Sequence, residues 1–147
     1  MRALNLPGYS FKLKESSGKV QILDELRKKY VVLTPEEWVR QHIVQYLIQE
    51  KKYPSSLIAI EIGLKYNQLQ KRADILVYDR QGTPILLVEC KAPEVKITQD
   101  VFHQIAVYNM SFKVRYLLVT NGMDHFICEM DYANNSYQFL KEIPVFI

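Results

Sequence analysis

Two cysteines, five glycines and one tryptophan are all that this 147-residue chain holds of those residue types, and each shortage closes off a class of protein. Cys90 and Cys128 are too few for a disulfide framework, and both lie in apolar strand-like runs, so buried reduced thiols are predicted. No repeat, low-complexity tract or Ser/Gly/Pro-rich linker breaks the sequence, which predicts one domain over 1–147. No apolar stretch approaches the roughly 20 residues that cross a bilayer. The opening Met1–Gly8 lacks the apolar core of a secretory signal, so a cytoplasmic protein with no membrane partner is expected. There is no G-x-x-x-x-G-K-[ST] loop for an ATP-driven motor and no G-x-S-x-G for a serine hydrolase. His42, His103 and His125 are scattered singly without zinc spacing. The net charge of +3 permits contact with a polyanion but falls short of a dense basic stripe.

What is present is a run of clear structural signals. Glu15-Ser16-Ser17-Gly18 reads as the turn of a hairpin joining Ser10–Lys14 to Lys19–Leu23. Thr34-Pro35-Glu36-Glu37 opens a helix running to about Glu50, with Thr34 as cap, proline at the first position and Glu37 closing a capping box. Val39, Ile43, Tyr46 and Leu47 form its inward side, which leaves Arg40, Gln41 and Gln45 outward or flanking. Leu57–Tyr66 reads as a strand, Asn67–Lys71 as a polar connection, and Ala73–Asp79 and Ile85–Lys91 as two further strands. Thr98–Phe112 has helical periodicity, Tyr116–Thr120 is a short apolar strand ended by Asn121-Gly122, and His125–Asp131 with Tyr137–Ile143 suggests a closing hairpin.

The chemistry concentrates around one turn. With the reversal centred on Gln81-Gly82, counting outward sets Asp74 directly opposite Glu89. Paired residues on antiparallel strands have Cβ atoms about 4.5–5.5 Å apart on one face, and Lys91 shares that face two residues on. Two adjacent carboxylates repel unless a cation or shared proton relieves them. Hard oxygen ligands suit Mg²⁺ or Mn²⁺, which can neutralise a phosphodiester and activate a water. Lys91 would then orient that water, stabilise charge on the phosphate, or act as base. The plain alternative is a solvated Glu-x-Lys alternation with Asp74 and Lys91 paired as surface ions.

Arg72-Ala73-Asp74-Ile75, Val88-Glu89-Cys90-Lys91-Ala92, Gln104-x-x-x-Tyr108 and the helix opening Thr34–Gln41 together resemble a known family. It is the nuclease domain at the N-terminus of the restriction subunit of type I restriction enzymes, in the PD-(D/E)XK superfamily. The likeness spans roughly Leu26 to Gly122. It implies a restriction-endonuclease-like three-layer α/β/α sandwich with an α-β-β-β-α-β core, a mixed sheet and extra terminal hairpins. It implies Asp74 and Glu89 as metal ligands, the Cys90 backbone carbonyl completing their shell, and Lys91 as the catalytic lysine. Gln104 and Tyr108 match the family's Q-x-x-x-Y element and, four apart, share a helix face where they could steady a phosphate or the lysine. Ala73 stands where many members have proline, a change that removes no ligand.

Glu36 has two readings: projection places it inward with Val39, where relatives carry a metal-shell glutamate, or it complements the helix dipole while Glu37 turns to the cap. Glu61 reads as a polar-face residue, and the basic pairs Lys28-Lys29, Lys51-Lys52 and Lys71-Arg72 as solvated faces, of which Lys71-Arg72, next to Asp74, could also guide a phosphate strand. The expected activity is Mg²⁺- or Mn²⁺-dependent endonuclease chemistry; the resemblance alone implies DNA rather than RNA as partner, with a motor or specificity subunit supplied separately, and a homodimer is compatible with the sequence. The competing reading is a nuclease-like module that holds DNA or a partner without useful cutting.

Overall fold

A computed structural model describes the backbone of residues 1–66 and 69–147, and their side chains except those of 64–71. In chain order the elements are β1 (Leu13–Ser16), β2 (Lys19–Asp24), β3 (Lys29–Val32), α1 (Pro35–Gln49), β4 (Ile58–Tyr66), β5 (Leu69–Tyr78), β6 (Pro84–Cys90), α2 (Gln99–Tyr108), β7 (Tyr116–Thr120), β8 (His125–Asp131) and β9 (Ser136–Phe139). Among the described residues β1-β2-β3 form one sheet and β4 to β9, in sequence order, form a six-stranded second. The β6–β7 pair is parallel and its neighbours antiparallel, so the larger sheet is mixed. A parallel pair needs a crossover, and α2 supplies it.

Each sheet face carries one helix. Val39, Ile43 and Leu47 of α1 pack with Ile75, Val77, Leu86 and Val88, while Phe102 and Ala106 of α2 pack with Leu76, Leu87 and Leu117. The alternation along β5 and β6 sends successive side chains to opposite helices. Each such buried aliphatic side chain contributes about 1.5–3 kcal/mol. Cys90 and Cys128 are free and buried in these two cores, as their apolar surroundings predict.

Several boundaries differ from expectation. The first hairpin gains a third strand, β3, which the lysines of Lys28-Lys29 disguise. Strand β5 begins at Leu69, so the pairing extends into the expected polar connection; Asn67 and Gln68 themselves lie outside the described residues. The second helix stops at Tyr108, because Asn109 caps it and a separate turn follows over Met110–Phe112. The last strand ends at Phe139 rather than Ile143. The Asp79–Thr83 loop is closed by Asp79 Oδ1, which accepts from the N–H groups of Gln81 and Thr83, and Gly82 supplies a φ of 83°. A register shift follows Val77, yet the paired residues Ile75↔Val88 keep the expected alignment.

The N-terminal segment is pinned across the ends of β7 and β8. Asn5 N–H donates to the Gly122 carbonyl at 2.9 Å, and the His125 ring bonds both Thr120 Oγ1 and the Asn5 carbonyl. Gly122 has a φ of 85°, and a Cβ there would come within 2.8 Å of Leu4 Cδ2. The backbone angle favours glycine, and a larger residue would also have to displace the Leu4 side chain. His42 sits buried among Tyr9, Phe11 and Trp38, donating to the Trp38 carbonyl at 2.8 Å.

Candidate active site

The centre lies where β5 and β6 part. Continuing the register one step beyond Ile75↔Val88 brings Asp74 opposite Glu89. Instead of extending the ladder, the Cys90 N–H donates to Asp74 Oδ2 at 2.7 Å. That bond fixes the carboxylate of one strand on the backbone of the other. Lys91 N–H turns the other way, to the Thr120 carbonyl of β7 at 2.8 Å, which anchors the end of the Glu89-Cys90-Lys91 segment.

Glu89 is pushed up to about 8, first by burial and then by the negative charge of the neighbouring Asp74. The Lys91 ammonium and the Asn109 side chain act in the opposite sense. Near neutral pH Glu89 therefore favours its protonated form. Asp74, Glu89, the Cys90 backbone and Lys91 are thus brought together. Gln104 and Tyr108 lie four apart on α2 with exposed side chains, and the group from that end of the helix acting on Glu89 is Asn109, which sequence reasoning missed. Asn109 is buried and also donates to the Ile105 carbonyl, so it reads in sequence as an ordinary helix cap.

The helix side of the centre corrects an expectation. Glu36 is exposed, and Glu37 is buried, so the inward acid is Glu37. The capping box is only half formed: Thr34 Oγ1 accepts from Glu37 N–H at 3.0 Å, but the Glu37 carboxylate turns inward to Arg27 and Gln41. Arg40 and Gln41, expected outward or flanking, are buried too. The reason is charge pairing, because a buried helix face can be polar when its partners are ions.

Those partners form a chain. Arg27 contacts Asp24 at 2.6 Å, Glu37 at 3.1 Å and Glu61 at 3.2 Å; Arg40 contacts Glu61 at 3.2 Å and lies 3.8 Å from both Glu37 and Asp74. Burial alone would raise Asp24, but hydrogen bonds from the Arg27 backbone and side chain hold it below the ordinary carboxylate range. Glu61 is likewise held low, because Arg40, Arg27 and Arg72 outweigh its partial burial. Glu61 adopts a φ of 52° within β4, a left-handed conformation that strains a non-glycine residue. The ladder skips it between Ile60↔Ile75 and Ile62↔Ala73, where it would face Asp74. Its reading as a mere polar-face residue is thereby replaced by that of an ion-pair partner.

Among the described residues no three His, Cys, Asp or Glu side chains gather as a ready metal cage, nor is any helix long and apolar enough to cross a membrane. The architecture itself recurs in a solved fragment from Vibrio vulnificus YJ016, described as an HsdR subunit of a type I restriction enzyme. The TM-score is 0.54 at 24% identity, over 77% of this chain and 24% of that one. This chain spans about a quarter of that solved fragment's length. Residues 35–144 match the family model of the type I restriction enzyme R protein N terminus, and the chain belongs to that family. No curated protein matches it.

Proposed function

We propose that this chain is a metal-dependent DNA endonuclease domain of a restriction system, built on the PD-(D/E)XK sandwich, with Asp74, Glu89 and Lys91 as its centre. The observation that carries the reading is the clamp of Asp74 onto the Cys90 backbone beside the half-buried Glu89, with Lys91 near enough to act on Glu89's charge. Two half-buried carboxyls set side by side are a hard-oxygen donor set, which fits Mg²⁺ or Mn²⁺. Asp74, Glu89 and the Cys90 carbonyl would hold the ion, with water filling the remaining positions. When bound, it would neutralise the phosphodiester and lower the pKa of a coordinated water.

The chain's own groups do the rest. Cys90 N–H keeps Asp74 oriented. Lys91 steadies the attacking water and the charge growing on phosphate oxygens. Gln104 and Tyr108, exposed on α2, face solvent from which a strand can approach. Exposed Arg72 offers a contact for the DNA backbone. A motor and specificity function would come from other polypeptide segments or subunits.

A second reading, a nuclease-like module that holds DNA or a partner without cutting, is favoured by the absence of a third gathered acid among the described residues. Nicking of supercoiled plasmid in Mg²⁺ or Mn²⁺ separates the two. The endonuclease reading predicts nicking by the parent chain and a drop of about 10²–10³ in rate for Lys91→Ala, as for loss of one transition-state donor. A metal-independent mobility shift with no nicking supports the module instead.

A further inference from the structure

Arg40 is a charge on the buried side of α1, although periodicity places it outward or flanking. Only 6% of it is exposed, and its guanidinium looks onto Glu61, Asp74 and Glu37 at once. Among the described residues neither its Nε nor its Nη1 has a well-aligned acceptor. Burying a five-donor fork with part of it unmatched is costly, so stability alone does not account for its position.

Asp74 uses its two oxygens differently. Oδ2 accepts from Cys90 N–H at 2.7 Å, whereas Oδ1 meets Arg40 Nη2 at 3.8 Å, a separation that attracts without hydrogen bonding. Glu61 meanwhile divides its oxygens between Arg27 and Arg40.

We propose that Arg40 is a positioning residue that serves as the resident counter-cation of Asp74, keeping that carboxylate in place in the metal-free protein and weakening the centre's hold on the divalent ion. The proposal rests on the metal-dependent reading above. A fixed positive charge beside a ligand opposes an arriving cation, and its removal strengthens the attraction. Glu61 moderates the effect by drawing Arg40 toward itself.

The test is Mn²⁺ affinity of the full chain, read from the electron paramagnetic resonance signal of free Mn²⁺. Arg40→Gln is expected to bind Mn²⁺ roughly tenfold more tightly than the parent. Glu61→Gln, at a residue 46% exposed, should bind severalfold more weakly because a negative charge near the ion is lost and Arg40 is then opposed by Glu37 and Asp74 alone. Arg40→Lys, which keeps the charge, should stay near the parent. A merely structural arginine would move folding stability and not produce shifts of opposite sign. If Arg40→Gln does not fold, the other two variants decide. Folded Arg40→Gln binding no more tightly than the parent, Glu61→Gln failing to loosen binding, or Arg40→Lys behaving as a neutral substitution each overturns the proposal while leaving the metal reading intact. Absence of any Mn²⁺ binding lost in Asp74→Ala removes the metal reading itself, and this proposal with it.

Discussion

Asp74 Oδ2 accepts a 2.7 Å hydrogen bond from the backbone N–H of Cys90, so a ligand candidate on β5 is held by the middle residue of the Glu89-Cys90-Lys91 segment on β6. This relationship separates the shape of the centre from its charge. Asp74→Asn keeps an oxygen that can accept from Cys90, whereas Asp74→Ala leaves that donor without its partner. Urea denaturation should show Asp74→Ala less stable than Asp74→Asn by about 1–2 kcal/mol. Both should lose Mn²⁺ affinity at least tenfold by calorimetric titration, since both remove the charge.

Glu89 gives a prediction with a pH sign. Its folded pKa is raised, to about 8, so between the ordinary carboxylate value and that point the folded protein retains a proton that the unfolded chain has released. Stability is therefore present at low pH and lost as pH rises toward and through 8. Without metal, Glu89→Gln should be more stable than the parent by on the order of 2 kcal/mol at pH 8, with the gap closing near pH 5. Adding Mn²⁺ should raise the melting temperature of the parent and leave the variant unmoved.

His42 runs the other way. Burial holds its pKa below the ordinary value, against the opposing pull of the Trp38 carbonyl. Below about pH 6.5 the unfolded chain takes up a proton that the folded protein resists, so stability falls as pH drops through that range. Thermal melts from pH 7.5 to 5 should show this decline, and His42→Phe should flatten it.

Arg27 is the hub of the ion chain, touching Asp24, Glu37 and Glu61. Removing one member of a buried network strands the others, so Arg27→Gln should cost about 3 kcal/mol in urea denaturation. Arg115→Gln, at the exposed pair with Glu129, should leave the urea midpoint essentially unchanged.

How much of this was legible in sequence follows from which interactions are local. Thr34-Pro35 announced the start of α1 because capping is decided within one turn. Counting outward from Gln81-Gly82 gave the alignment of Ile75 with Val88, because a short loop fixes register even when a shift intervenes. Glu37, Arg40 and Gln41 were misplaced because apolar periodicity assigns charged residues to the outside, and nothing within α1 reveals the waiting partners on Arg27, Glu61 and Asp24. Those contacts cross elements distant in sequence. Asn109 escaped for the same reason: its cap role is local, but its influence on Glu89 is tertiary.

The central claim is that Asp74 and Glu89 together receive a divalent ion, and a crystal soaked in Mn²⁺ and measured at the manganese absorption edge tests it most directly. The account predicts one anomalous peak within coordination distance of oxygens from both carboxylates, and its disappearance in Asp74→Ala crystals. No peak there, with the two acid side chains turned apart into solvent, would contradict it.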